Sequence, residues 1–88
     1  MHINTTIHKE LKEAAAWPTW AAMEWKTRQE VLTLMYSFAS QTLIHTDGLV
    51  DQAECEVNRL TGSRLLAQAA NRSLRKWAGN RTPEQSPQ

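Results

Sequence analysis

TRQEVLTLMYSFASQTLIHTDG, residues 27–48, is the stretch whose reading decides the fold class. It opens on Thr27-Arg28-Gln29-Glu30, the spacing of a capping box, in which hydroxyl and carboxylate each satisfy a backbone donor left open by the first helical turn. Val31, Leu32, Leu34, Met35, Phe38, Ala39, Leu43 and Ile44 follow at helical spacing and fall on more than one face. The pattern predicts a long helix from Thr27, buried on several sides and central to the domain. His45-Thr46-Asp47-Gly48 would end it, with Gly48 in a left-handed conformation.

Toward the N-terminus, the hydroxyls of Thr5 and Thr6 are expected to cap a first helix running to about Ala16. Its apolar stripe is Ile7, Leu11 and Ala14, with Lys9, Glu10, Lys12 and Glu13 on a solvated face. Trp17 precedes Pro18, which biases it away from α geometry, so a break is expected there. Residues 18–26 read either as one short helix capped by Thr19 or as a compact turn. Toward the C-terminus, Asp51 and Glu54 have the spacing of another capping box, with Val50 placed to staple against Cys55. That helix is expected from about Asp51 to Thr61. Gly62 then separates it from Ser63, the N-cap of a last helix carrying Leu66, Ala70, Ser73, Leu74 and Trp77 along one side and stopped by Gly79.

No run of alternating β-branched or aromatic residues bounded by turn formers is present, so the class is all-α. The expected architecture is a compact bundle of three to four helices in a single domain, residues 1–79. Residues 80–88, polar and containing Pro83 and Pro87, are expected to form a disordered tail.

Chains of 88 residues bury a limited fraction of their surface, so a homodimer or other homo-oligomer is the expected state. Cys55 has no second cysteine to pair with and reads as a small core residue in a reducing compartment, which points to the cytoplasm. The first residues lack a basic segment followed by an apolar stretch, and no apolar run reaches the roughly 18–20 residues that span a bilayer, so no membrane association is expected. The formal charge of +1 conceals a division. From Val57 to Pro83 the basic residues are Arg59, Arg64, Arg72, Arg75, Lys76 and Arg81, with no acidic one. Residues 1–56 hold four basic residues against eight acidic. Segments of opposite sign can pair within one chain or between two.

Catalysis needs a nucleophile or an acid–base pair with an orienting partner, and His2, His8, His45, Cys55 and the scattered carboxylates form no such spacing. Phosphate-loop, nucleophile-elbow and zinc-ligand motifs are lacking, so neither an enzyme nor a bound cofactor is expected. His45, Asp47 and Cys55 could approach one another around a helix turn, but a histidine at a helix end more often caps carbonyls, and no metal is expected. Asp47 to Glu54 resembles the second half of an EF-hand loop. It is also similar to the inter-helix turn of tellurite-resistance-type helical domains. Counting back, the first and third loop positions fall on Leu43 and His45, so the leading carboxylates for calcium are missing, and the segment reads as a capped junction between helices.

Four tryptophans are a high number for this length, and Trp17, Trp20 and Trp25 lie close together beside Met23. Such indoles either fill a small core or form a contact surface, where one truncation can cost about 2 kcal/mol or more. Under the second reading Trp17, Trp20, Met23 and Trp25 bind a protein partner, and Lys26 and Arg28 fix the register. A second class of function rests on the last helix. Arg64, Asn71, Arg72, Arg75 and Lys76 lie on its polar side behind the Thr61-Gly62-Ser63 turn, the outline of a helix-turn-helix that would contact nucleic acid. The leading expectation is a small non-enzymatic regulator, acting as inhibitor, anti-activator or adaptor on a larger protein. The alternative is a DNA- or RNA-binding regulator.

Overall fold

The computed structural model describes residues 3–41 and 47–79. Five α-helices make up the chain there: α1 (Ile3–Glu13), α2 (Trp17–Ala22), α3 (Trp25–Gln41), α4 (Asp47–Thr61) and α5 (Arg64–Gly79). The all-α class stands. Among the described residues the helices number five, not three or four, because residues 17–22 form a helix of their own. The tail expected at residues 80–88 lies outside the described residues.

Several helices begin earlier than their expected caps. Thr5 and Thr6 sit inside α1, and Thr6 is buried there. The break after α1 comes at Ala14–Ala16. The Ala16 N–H donates to the Leu11 carbonyl and the Ala15 N–H to that of Lys12, a Schellman ending with Ala15 left-handed at φ 58°. The Ala16 and Leu11 side chains, which such an ending brings together, are both buried. α2 starts at Trp17, ahead of the expected Thr19, with Ala16 at the N-cap. Pro18 occupies the first turn, where its missing N–H has no helical acceptor to lose. Glu24 supplies the carbonyl that receives the Arg28 N–H, so α3 begins at Trp25 and Thr27 is interior. The expected Thr27–Glu30 capping box is therefore absent.

Gly48 lies within the first turn of α4 and does not adopt the left-handed conformation expected of it. That role belongs to Gly62, at φ 68°, whose N–H donates to the Asn58 carbonyl and closes α4. The Ser63 cap occurs as expected: its Oγ accepts from the Leu66 N–H at 3.2 Å. Because α4 begins at Asp47, Asp51 and Glu54 are interior and cap nothing. Cys55 is exposed, contrary to the core position expected of it, and Val50 lies inside α4 and not ahead of its cap, where a staple would place it.

The hub of the domain is α5, where α3 was expected. It packs most extensively against α4 and α1, with α3 laid over α4 and α5 and α2 against α1. Leu66, Ala67, Ala69, Ala70, Ser73 and Leu74 are buried along it, a stripe wide enough to face two neighbours. Ala67, Ala69 and Ala70 are small side chains that leave room for neighbouring helices to pack on α5. Ile7 and Leu11 of α1 and Val50, Ala53 and Val57 of α4 share one buried cluster with them. Val31, Met35 and Ala39 give α3 a single buried edge at i, i+4 spacing, and Leu32, Leu34 and Phe38 are only half-buried. Leu43 and Ile44 lie outside the described residues.

Candidate protein-binding surface

The clustered tryptophans divide by environment. Trp20 is 4% exposed and belongs to the core, packed where α2 closes over the domain. It is therefore removed from the contact set as an anchor that could enter a partner. Trp17 is half-buried, its ring edge-on to His8 at 5.5 Å between centroids, with the Lys12 ammonium 5.3 Å from its centre. Met23 is half-buried and packs against the core, and its extended backbone turns the chain from α2 into α3. Trp25 is 69% exposed, and the Arg28 guanidinium lies 5.8 Å from its ring. Lys26 is exposed on the opposite flank of α3. It contributes to a shallow groove of about 520 Å³ running past Glu30, Leu34 and Phe38 to Leu60 of α4.

The exposed face of α3 carries more than the sequence-derived set. At about 100° per residue, Trp25, Gln29, Leu32 and Tyr36 fall on one stripe. Tyr36 is 46% exposed and Leu32 half-buried, so this stripe keeps aromatic and aliphatic surface in solvent. Its i, i+4, i+7, i+11 spacing is legible in the sequence once the helix is known to start at Trp25. Under Trp25 opens a notch of about 170 Å³ lined by His8, Trp20, Trp25, Arg28, Gln29 and Leu32. The Arg28 Nε there is buried and has no hydrogen-bond partner.

The second set, on α5, is engaged within the chain. Glu10 of α1 is 1% exposed, although it was expected on a solvated face, and it receives hydrogen bonds from the Arg72 Nε at 2.9 Å and from the Lys76 ammonium. Burial alone would raise its pKa. The hydrogen bonds from Lys76 and then Arg72, with their charges, outweigh that and hold the Glu10 carboxyl below its ordinary value. The bond to Glu10 raises the Lys76 ammonium. On the other side of α5, the Asn71 amide donates to Glu54 at 2.7 Å and to Asp51 at 3.2 Å, and Arg75 reaches Asp51 at 3.1 Å. Arg75 also donates to the Asn71 amide oxygen. Arg64, exposed at the start of α5, borders a small depression with Glu54, Cys55 and Asn58. Segments of opposite sign thus pair within the one chain.

Of the residues considered for catalysis, His2 and His45 lie outside the described residues, His8 is exposed against Trp17, and Cys55 is exposed on α4. Among the described residues, no group of three or more histidines, cysteines and carboxylates is placed to hold a metal ion. No helix there is long and apolar enough to cross a membrane. Comparison with protein families, with curated proteins and with solved structures finds no match for this chain.

Proposed function

We propose that this chain is a small non-catalytic protein-binding module of the cytoplasm, and that it acts stoichiometrically by covering a surface of a larger protein. The contact surface is the α2–α3 corner and the exposed stripe that continues from it, Trp25, Gln29, Leu32 and Tyr36. The observation that carries this reading is the exposure of Trp25. A large apolar side chain left in water at a helix start adds little to this fold, whereas tryptophan is enriched among the residues that dominate interfaces. Lys26 and Arg28, one turn or less away, supply the charge that sets orientation. Tyr36, and Leu65 on α5, leave further apolar surface for a homodimer.

The basic face of α5 supports a nucleic-acid reading less well. Contact with phosphates requires cations free to displace counterions, and Arg72, Arg75 and Lys76 are engaged by Glu10 and Asp51. The two readings separate in one experiment. Tagged protein is recovered from a lysate of its host after nuclease treatment, alongside Trp25→Ala and the double variant Arg72→Ala with Arg75→Ala. A defined protein that co-elutes with wild type and is lost with Trp25→Ala supports the proposal. Co-eluting material that is removed by nuclease, or lost only in the double arginine variant, overturns it.

A further inference from the structure

The notch beneath Trp25 has a chemistry more specific than an apolar anchor point. Arg28 lines it, and none of the described ion pairs includes this residue, in contrast to Arg59, Arg72 and Arg75. Its Nε is buried without an acceptor, an arrangement that costs stability in the free protein and is relieved by any ligand that brings one. The indole of Trp25 lies over the guanidinium and is itself mostly in solvent, so it can swing aside. His8 reaches the same notch from α1 and Gln29 from the next position on α3, adding donors around a cavity of about 170 Å³. That is the space of roughly five or six water molecules, enough for a carboxylate on a short stem.

We propose that this notch is a subsite for one acidic side chain, a glutamate or aspartate of the protein partner. The carboxylate pairs with the edge of the Arg28 guanidinium through Nε and a terminal nitrogen, and Trp25 closes over its stem. A planar carboxylate matches that fork in two parallel hydrogen bonds. A polyphosphate chain, which carries several charges, is disfavoured because Arg28 is the one lysine or arginine lining the notch. The inference rests on the protein-binding reading above and gives it a chemical preference.

The test is a titration of the isotope-labelled full chain, following the Arg28 Nε–Hε and Trp25 indole resonances. The probes are acetyl-Ala-Glu-Ala-amide, its glutamine counterpart, acetyl-alanine with a free terminal carboxylate, inorganic phosphate and oligothymidylate. The expected result is a saturable shift of both resonances with the glutamate peptide, at a Kd on the order of 1 mM, and none with the glutamine peptide. Arg28→Lys keeps the charge but loses the fork, and should weaken binding by about fivefold or more. Arg59→Lys, the same exchange at an exposed arginine of α4 that does not line the notch, should leave binding unchanged and controls for folding. Absence of saturation, an unchanged response in Arg28→Lys, or a stronger response to acetyl-alanine, phosphate or oligothymidylate overturns the assignment. If Trp25→Ala abolishes partner recovery while Arg28→Lys leaves it unchanged, the subsite fails and the binding module stands. If Trp25→Ala has no effect on recovery, both fail.

Discussion

The α1–α5–α4 face and the α2–α3 corner use the same residue types to different ends. On the first, each cation of the distal half of α5 meets a carboxylate of a neighbouring helix: Arg72 and Lys76 at the buried Glu10, Arg75 at Asp51. At the second, two cations sit against aromatic rings, Lys12 of α1 on Trp17 and Arg28 on Trp25. A charge neutralised inside the chain orders the fold, whereas one resting on an exposed ring keeps its hydrogen-bonding capacity for something else. The contrast separates positions that hold the domain together from positions that add little to it, and it can be broken at either end.

The largest expected effect comes from the two tryptophans on either side of the divide. Trp20→Ala should remove about 3–4 kcal/mol of stability, a large share of what so small a domain has. Trp25→Ala should stay within about 0.5 kcal/mol of wild type. Urea melts followed by circular dichroism measure both, and a comparable loss in each variant would erase the distinction between core and surface indole.

Glu10→Gln comes next, at about 1–2 kcal/mol, because it removes the buried charge and turns one of the two accepting oxygens into an amide donor facing a cation. The pH dependence has a definite sign. The folded Glu10 carboxyl is held below its ordinary value, near 4.3 in an unfolded chain, so its contribution is full above about pH 5. It is lost as pH falls through the folded value, and Glu10→Gln should flatten that acid limb. Lys76 is raised, so its contribution is complete below the ordinary lysine value near 10.4 and is lost as pH rises through the folded one. Stability measured from pH 3 to pH 11 should decline at both ends in wild type and less so in the variant.

A smaller change of opposite sign is expected at Ala15. An alanine held at φ 58° is strained, and glycine is free of that strain though it has more unfolded freedom to lose. Ala15→Gly should raise stability by about 0.5–1 kcal/mol; a decrease would mean that the Schellman ending between α1 and α2 does not form. The smallest effect is reserved for Arg75→Ala. Its pair with Asp51 is solvent-exposed on both sides, so the loss should be below about 0.5 kcal/mol and shrink further at 0.5 M salt.

Much of this contrast was written in the sequence, but not all of it was legible. The all-helical class, the buried stripes of α1 and α5 and the Ser63 cap follow from spacing alone, whereas the apolar residues of α3 suggest burial on several faces where only Val31, Met35 and Ala39 are buried, and charge by itself leaves open whether the acidic and basic segments pair within one chain or between two. The starts of α1, α3 and α4 are not legible, because Thr5, Thr6, Thr27, Asp51 and Glu54 stand at cap-like spacing yet lie inside helices that begin upstream of them. Glu10 was placed in solvent, although it sits at i+3 from Ile7 and beside Leu11, on the apolar stripe itself. Its partners Arg72 and Lys76, one turn apart, were the second half of that signal. The hub was misplaced because alanines look weak as core residues until helices close around them. Which of the tryptophans faces water could not be read from their spacing, since it depends on how α2 folds back over α1.

Trp25 as a point of contact with another protein is the claim on which the proposed function depends. Replacing Trp25 with a photoreactive benzoylphenylalanine, with a parallel replacement at Arg75, and irradiating living host cells tests it most directly. The account predicts a discrete protein adduct from position 25 that survives nuclease and is absent from position 75. An adduct only from position 75, or one with nucleic acid at either position, would contradict it.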